Sequence, residues 1–235
     1  MAIQQMLLGG GKVKKTYLDE VFSNYLYKGT GSAVAVNNGI DLSGEGGLVW
    51  IKSRTDNHYH NLIDTARGAT KSIFSNHSMG EDTGTNGYMT SFNNNGFTTG
   101  TYNNVTKSDQ DFTSWSFRKA PGFFDVVTWT GNGTARTISH SLNCIPGLIL
   151  IKQYGSSTDW VVYHRNMHSS PEEYFAYFNE SNAATNSPSG IWNDTAPTAS
   201  VFSIGTNGLV NESSGEYIAY VFAGGESTAA TARSV

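Results

Sequence analysis

Two short apolar runs, one hundred positions apart, stand out in the pattern of hydrophobic and polar residues. The chain reads GGLVWIK at 46–52 and PGLILIK at 146–152. Each run holds four large apolar residues between a glycine and a lysine, and β-branched residues are frequent among them. Short runs with such boundaries are typical of β-strands that are buried on both faces. Trp50 and Leu150 occupy equivalent positions and are predicted to lie in the middle of these strands.

The segments that flank the two runs match in the same order. The matching pairs are YKGTGS at 27–32 with WTGNGT at 129–134, NLID at 61–64 with WVVY at 160–163, GFT at 96–98 with VFS at 201–203, and FTSWSF at 112–117 with EYIAYVF at 216–222. This order indicates an internal duplication with a period of about one hundred residues, which is the size of a small domain.

The duplication predicts an all-β fold. We expect two tandem antiparallel β-sandwiches, jelly-roll-like, of about one hundred residues each. The boundaries are 1–23 for an N-terminal arm and short helix, 24–120 for the first repeat, 121–225 for the second repeat, and 226–235 for a linker toward a downstream region. The alternative is one larger, merged sandwich in which the two apolar strands share a common core.

The N-terminal segment differs from both repeats. It combines an apolar tip, three glycines at 9–11 and lysines at positions 12, 14 and 15. From Thr16 to Leu26 the apolar residues recur at helical spacing, and Thr16 with Asp19 resembles a capping pair, so a short helix is predicted there. The arm lacks the periodicity to fold alone and is expected to become ordered against a partner. The residues expected to be buried in that contact are Ile3, Met6, Leu7 and Leu8.

Composition agrees with many short strands joined by tight turns. The chain has 26 glycines, 14% charged residues and 38% hydrophobic residues. Its net charge of −4 argues against a nucleic-acid partner, because phosphate binding needs a concentrated basic face. No apolar run approaches the length of a membrane span, so no membrane partner is expected. The single cysteine, Cys144, is predicted to be a small buried residue near a strand.

The candidates for chemistry are weak. His58 and His60 have the spacing of two metal ligands in a strand, but no third ligand lies near them and the second repeat has no equivalent pair. Glu172 and Glu173 suggest acid–base work on a glycan, yet adjacent glutamates in a strand point to opposite faces. We therefore predict no catalytic residue, no cofactor and no metal site.

Three aromatic residues lie in polar, loop-like contexts where they could stack on sugar rings. These candidates for glycan contact are Tyr88, Tyr102 and Trp192. Most other aromatic residues fall in apolar strand patterns and are predicted to be core. That group includes Trp50, Trp115, Trp129, Trp160 and Phe222.

Several segments together resemble tail and fibre-type virion proteins of marine bacteriophages, such as those that infect cyanobacteria. The segments are MAIQQMLLG at 1–9, YLYKGTG at 25–31, WSFRKAPGFFD at 115–125 and WVVYHR at 160–165. The resemblance covers essentially the whole chain. It implies a structural or host-binding component of the virion, assembled in the host cytoplasm and followed by lectin-like modules, and it supplies no catalytic residues.

The predicted function is therefore a non-enzymatic virion component, a tail fibre or tail-associated adhesin stem that docks by its N-terminal arm. One alternative is a capsid decoration or head fibre protein, and another, from a different class, is a polysaccharide depolymerase. The expected partners are other virion proteins, further copies of the chain in a homo-oligomer with a trimer favoured, and a host surface glycan.

Overall fold

The computed structural model describes residues 16–84 and 87–225, together with the backbone of 230–231. The N-terminal part and first repeat contain β1 Thr16–Tyr17, α1 Leu18–Val21, β2 Phe22–Lys28, β3 Ala35–Asn37, β4 Gly47–Ser53, β5 Asn61–Asp64, β6 Ile73–Phe74, β7 Met89–Asn93, β8 Gly96–Thr99, α2 Asn103–Thr106 and β9 Asp111–Arg118. The rest contains β10 Phe124–Thr130, β11 Arg136–Ser139, β12 Pro146–Gln153, β13 Val161–His164, a 3-10 turn Pro171–Glu173, β14 Tyr174–Tyr177, β15 Thr185–Asn186, β16 Val201–Ile204, α3 Gly208–Asn211, β17 Glu216–Ala223 and β18 Ala230–Thr231. The all-β prediction is confirmed.

Each repeat is built from one large and one small antiparallel sheet. The large sheet of the first repeat has the order β2-β9-β4-β5-β6, and that of the second has the order β10-β17-β12-β13-β14-β15. The small sheets are β3-β8-β7 and β11-β16. Equivalent strands therefore occupy equivalent places, as the duplicated sequence predicts. A short parallel pair, β1 with β18, joins the two ends of the described chain.

Three hydrophobic cores hold the sheets together. One lies inside the first repeat around Val49 and Ile51, and one lies inside the second repeat around Ile149 and Ile151. The third lies between the two large sheets. Its buried members are Leu48, Leu62, Ile73, Phe124, Val126, Leu150, Trp160, Val162, Ile218 and Tyr220. We call this third cluster the inter-repeat core.

The inter-repeat core exists because side chains alternate along a strand. In β4, Val49 and Ile51 face the first repeat's own core, whereas Leu48 faces the second repeat. In β12, Leu150 likewise faces the other repeat and is only 2% exposed. The prediction that both apolar strands are buried on two faces is thus confirmed. Trp50 is an exception, because it is only partly buried where its ring meets Trp115 and Phe178.

Each repeat has its own sandwich-type core, and the two also share one. The two-sandwich prediction and the merged alternative therefore each describe part of the arrangement. Equivalent residues meet directly at the junction, where the rings of Phe117 and Phe222 are in T-shaped contact with centroids 5.5 Å apart. The Trp160 indole N–H also donates a buried hydrogen bond of 2.8 Å to the Phe74 carbonyl of the first repeat.

A short helix is present in the N-terminal part, but it spans only Leu18–Val21, and the apolar residues that continue the helical spacing to Leu26 belong to β2. Only α1 is helical, and β2 pairs with β9 along all seven of its residues. These seven pairs and the partial burial of Tyr27 outweigh the weak local preference for a helix. The predicted Thr16–Asp19 capping pair is replaced by another, in which the Tyr17 N–H donates to Glu20 Oε2 at 3.2 Å. The arm residues Ile3, Met6, Leu7 and Leu8 lie outside the described residues.

The glycine-rich segments that open the two repeats have a steric cause. A Cβ atom at Gly29 would collide with the Lys107 carbonyl oxygen, and one at Gly131 would collide with the Glu212 carbonyl oxygen. Each segment packs against the end of α2 or α3, which leaves no room for a side chain. The first glycine of each Gly-X-Gly pattern is therefore required for close backbone approach, whereas the second, Gly31 or Gly133, has a positive φ that favours glycine.

The two lysines that follow the apolar runs close equivalent turns. Lys52 Nζ donates to the carbonyls of Ser53 and Asp56 at 2.6 and 3.0 Å. Lys152 Nζ donates to the carbonyls of Gln153 and Ser156 at 2.7 and 3.1 Å. The offsets from the lysine are the same in both repeats. Lys152 is fully buried, and burial lowers its pKa to about 8.

This burial predicts a pH dependence of stability. In the unfolded chain Lys152 keeps its ordinary pKa, so above pH 8 the unfolded chain binds more protons than the folded one and stability rises with pH. We expect the free energy of unfolding to rise by about 1–2 kcal/mol between about pH 8 and pH 9.5. Urea denaturation across this range would measure the rise. Lys152→Met should remove the rise in the free energy of unfolding with pH, and Lys52→Met should not. An unchanged rise in Lys152→Met would contradict the assignment of the pH dependence to Lys152.

Candidate functional site

An open cleft of about 580 Å³ lies where loops of the two repeats meet. We call it the junction cleft. Its lining residues are Lys71, Met79, Gly80, Glu81, Tyr154, Gly155, Ser156, Ser157 and Glu216. Polar groups from both repeats therefore converge on one space, which is the arrangement expected of a ligand site.

The walls of the junction cleft are fixed by backbone contacts between the repeats. The Glu81 N–H donates to the Tyr154 carbonyl at 2.7 Å. A Cβ atom at Gly80 would lie 3.0 Å from that carbonyl oxygen and 3.2 Å from the Ser156 carbonyl oxygen. The absence of a side chain at residue 80 lets the loop that carries Glu81 approach the turn after β12 this closely without displacing it.

A buried ion pair forms the support behind the cleft. The Arg67 guanidinium donates through Nε to Asp64 Oδ2 at 2.7 Å and through Nη2 to the Leu62 carbonyl at 2.9 Å. Tyr220 of the second repeat donates its hydroxyl to the same Asp64 oxygen at 2.8 Å. Arg67 Nη1 also lies 3.4 Å from Glu81 Oε2, so the buried pair reaches the cleft wall. We call Asp64, Arg67 and Tyr220 the buried triad.

Electrostatics keep these groups in defined protonation states. Burial, the largest single cause, would lower the pKa of Arg67, but the interactions with Asp64, Tyr220 and Glu81 together outweigh it and the net shift is upward. Burial, and then Asp64, raise the pKa of Tyr220 far above its usual value. Burial, followed by the charges of Glu216 and Glu81, raises the pKa of Tyr154. At neutral pH the cleft therefore presents a neutral tyrosine ring beside carboxylates.

A smaller groove of about 290 Å³ adjoins the junction cleft. It is lined by Gln153, Gly155, Glu212, Ser213, Ser214, Gly215 and Glu216. Gly155 and Glu216 line both spaces. The Gln153 side chain, only 3% exposed, donates through Nε2 to Glu212 Oε2 at 3.0 Å. Its Oε1 has no hydrogen-bond partner among residues 16–84 and 87–225.

Two of the three residues predicted to contact glycans are in the core instead. Tyr88 is fully buried and donates its hydroxyl to Asp82 Oδ2 at 2.5 Å. Trp192 is also buried, and its indole N–H donates to the Tyr174 carbonyl at 2.9 Å. Tyr102 is partly buried with its ring packed against that of Tyr88. The interpretation of Tyr88 and Trp192 as sugar platforms is wrong, because polar sequence around an aromatic residue does not prevent the ring from filling the core.

The histidine and glutamate candidates are not brought together. His58 Nε2 lies 3.4 Å from Asp56 Oδ2, outside any strand. Burial, the largest cause, lowers the pKa of both His58 and His60. Within the described ranges, no group of three or more His, Cys, Asp or Glu residues could hold a metal ion. Glu172 and Glu173 lie in a 3-10 turn, not in a strand.

The buried triad and the junction cleft were not predicted from the sequence. A partial signal was present, because Asp64 and Arg67 are charges that directly follow an apolar strand segment. The third member of the buried triad gave no sequence signal, because Tyr220 is 156 positions away from Asp64 and falls in an apolar pattern. No helix in the described part of the chain is long and apolar enough to cross a membrane.

Comparisons with known proteins add one relationship. A family model described as Domain of unknown function (DUF7483) matches residues 19–229, which include both repeats and the junction cleft. No curated protein and no solved structure matches the chain. Because the family model matches well over half of the sequence, the chain belongs to the DUF7483 family.

Proposed function

We propose that this chain is a non-enzymatic component of a bacteriophage virion, a rigid stem of a tail fibre or tail-associated adhesin that docks by its N-terminal arm. The sequence resemblance to phage tail and fibre proteins motivates the virion setting. The observation that carries the role of a stem is the inter-repeat core, which makes one body out of two sandwiches.

A stem must hold a fixed distance and direction between the particle and a receptor-binding part. Two domains joined only by a linker would bend, because small interfaces permit relative motion. Here the ten buried residues of the inter-repeat core come from both repeats. The buried triad and the Trp160–Phe74 hydrogen bond add directional contacts across the same junction. These contacts resist bending, which suits a spacer.

The proposal is tested by incorporation into particles. Epitope-tagged protein would be supplied during infection of a host, and purified particles would be probed for the tag after tails and capsids are separated. We expect the full chain in the tail fraction and a chain lacking residues 1–11 only in the soluble fraction. A variant with serine at Ile3, Met6, Leu7 and Leu8 serves as a matched control that keeps the arm's length and lysines, and it should also be excluded.

Each outcome decides one part of the proposal. Absence of the full chain from particles would overturn the virion role. Its presence in the capsid fraction would favour the alternative of a decoration or head fibre protein. Normal incorporation of the truncated chain would overturn docking by the arm. Folding of the truncated chain is checked by circular dichroism, because the described strands of the large sheets begin only at Phe22.

Self-association is part of the proposal, and the edge strand β2 is the candidate surface. β2 pairs with β9 on one side, and no strand in the described part of the chain pairs with its other side. Three large apolar side chains are exposed on or beside it, namely Leu18, Tyr25 and Leu26, the last being 58% exposed. An edge with unpaired backbone groups and apolar side chains invites pairing with a second copy. Pairing of β2 with itself is isologous and makes dimers, so a trimer would need a second contact surface.

Leu26→Lys is expected to disrupt this contact, because it places a charge in the apolar edge. Sedimentation velocity at concentrations of about 1–100 μM would show an oligomer for the original chain and mainly monomer for the variant. Thr128→Lys is the matched control, since Thr128 is exposed in β10, the equivalent edge strand of the second repeat. A monomeric original chain, or equal effects of both variants, would contradict the role of β2.

A further inference from the structure

We infer that the junction cleft and its adjoining groove form one binding site for an uncharged, hydroxyl-rich saccharide. None of the aromatic residues that the sequence suggests for glycan contact, Tyr88, Tyr102 and Trp192, lines this site. The inference deepens the proposed adhesin role and rests on it for its biological meaning, but its test uses the isolated protein. The ligand class follows from the hydrogen-bonding character, the charge and the shape of the site.

The site is rich in hydrogen-bond acceptors. Glu212 and Glu216 line it, and no lysine, arginine or histidine in the described part of the chain forms an ion pair with either. Gln153 contributes a nearly fully buried side chain whose Oε1 lacks a donor among the described residues. A buried acceptor without a donor is costly, so a ligand that donates hydrogen bonds would be favoured here.

Glu81, the third carboxylate that lines the site, differs from Glu212 and Glu216. Glu81 is neutralised within the protein, because Lys71 Nζ lies 3.0 Å from its Oε1 and Arg67 Nη1 lies 3.4 Å from its Oε2. The remaining charge of the site is therefore negative and comes from Glu212 and Glu216. Anionic sugars such as uronic acids would be repelled, whereas neutral hydroxyl groups can donate to both carboxylates.

Tyr154 supplies the apolar surface that saccharide recognition requires. Tyr154 lines the junction cleft and is partly exposed, and the Arg67 guanidinium carbon lies 6.0 Å from its ring centroid, which helps to hold the ring in place. Its hydroxyl is neutral at pH 7, and the raised pKa extends this neutrality to higher pH. A sugar ring stacked on Tyr154 would have its hydroxyl groups close to Ser156, Ser157 and Glu216, which line the same cleft.

The size of the site matches a short oligosaccharide. The two spaces measure about 580 and 290 Å³ and share Gly155 and Glu216 as lining residues. Ligand pockets of about 300–1,000 Å³ hold small organic ligands. Two adjoining spaces favour a chain of two or three sugar units over a single one. The serine hydroxyls along it, at Ser156, Ser157, Ser213 and Ser214, can both donate and accept.

The test is a titration of the purified chain with saccharide probes. Binding is measured by isothermal titration calorimetry and by saturation-transfer NMR. The neutral probes are maltotriose, mannotriose and triacetylchitotriose, and the anionic probe of similar size is a hyaluronan tetrasaccharide. We expect at least one neutral probe to bind and the anionic probe not to bind. Tyr154→Ala should weaken the binding about tenfold, because a lost ring contact costs about 1.4 kcal/mol.

Two further variants separate a binding role from a structural one. Tyr154→Phe keeps the ring and should bind within about threefold of the original chain. Tyr59→Ala removes an exposed tyrosine that does not line the site and should leave binding unchanged. Glu216→Gln should weaken the neutral probe and admit the hyaluronan tetrasaccharide.

The inference would be overturned by any of three results. The first is that no neutral probe binds. The second is that Tyr59→Ala and Tyr154→Ala weaken saccharide binding equally. The third is that trilysine binds more tightly than every saccharide. The last result would identify the site as one for basic peptides. Failure of saccharide binding would leave particle incorporation unaffected, so this test and the test of the virion role can fail separately.

Discussion

Replacing Arg67 with leucine is expected to lower the free energy of unfolding by about 3–5 kcal/mol. The change would leave the Asp64 carboxylate buried with only the Tyr220 hydroxyl and two local backbone N–H groups as partners. Asp64 is fully buried, so its carboxylate has no direct contact with bulk solvent. Removing one member of a buried ion pair costs more than the pair itself contributes, because the remaining charge is uncompensated. Urea denaturation followed by tryptophan fluorescence would measure the loss.

Two further variants show that the cost comes from the unpaired charge. Lys71→Met removes a partly exposed cation from the same area and should cost less than about 1 kcal/mol. In the double variant Asp64→Leu with Arg67→Leu, no charge is left unpaired, so much of the lost stability should return. A loss below about 1 kcal/mol in Arg67→Leu would show that the buried triad does not hold the junction together.

Trp160→Ala is expected to cost about 3–5 kcal/mol and to affect both repeats. The side chain is fully buried in the inter-repeat core, and its ring packs on Tyr220. Its removal would leave a large cavity between the two large sheets and would free the Phe74 carbonyl that its indole N–H now satisfies. Because the lost contacts belong to both repeats, the first repeat should be weakened by a change in the second.

Trp192→Ala provides the matched control. Trp192 is also buried and also donates its indole N–H to a backbone carbonyl, that of Tyr174. Its contacts lie in the second repeat's own core. Both variants should destabilise the chain by similar amounts, but only Trp160→Ala should remove direct support from the first repeat. Separate unfolding transitions already present in the original chain would contradict a shared core.

The sequence was sufficient to predict the strands but not their partners. The runs at 46–52 and 146–152 predicted strands with two buried faces, and β4 and β12 have them. The pattern did not reveal what covers the second face, because an apolar side chain packs equally well against any apolar sheet. The inter-repeat core was therefore only one of two alternatives until the structure placed Leu48 and Leu150 in the same cluster.

Local signals failed where distant contacts decide the outcome. The apolar residues from Tyr17 to Leu26 fit a helical period, yet pairing with β9, about ninety positions away in sequence, makes Phe22–Lys28 a strand. Polar neighbours made Tyr88 and Trp192 look like loop residues, although both fill cores. The junction cleft needs loops from both repeats, so no single stretch of sequence could predict it.

Native-state hydrogen exchange on the original chain and on Trp160→Ala tests most directly whether the two repeats form one rigid body. The relevant amides are those of the central strands β4 and β12, one in each repeat. We predict similar free energies of opening for the two strands in the original chain and an equal fall in both when Trp160 is replaced. Unchanged protection of β4 in the variant, with loss confined to β12, would show that the sandwiches are independent and would contradict the proposed rigid stem.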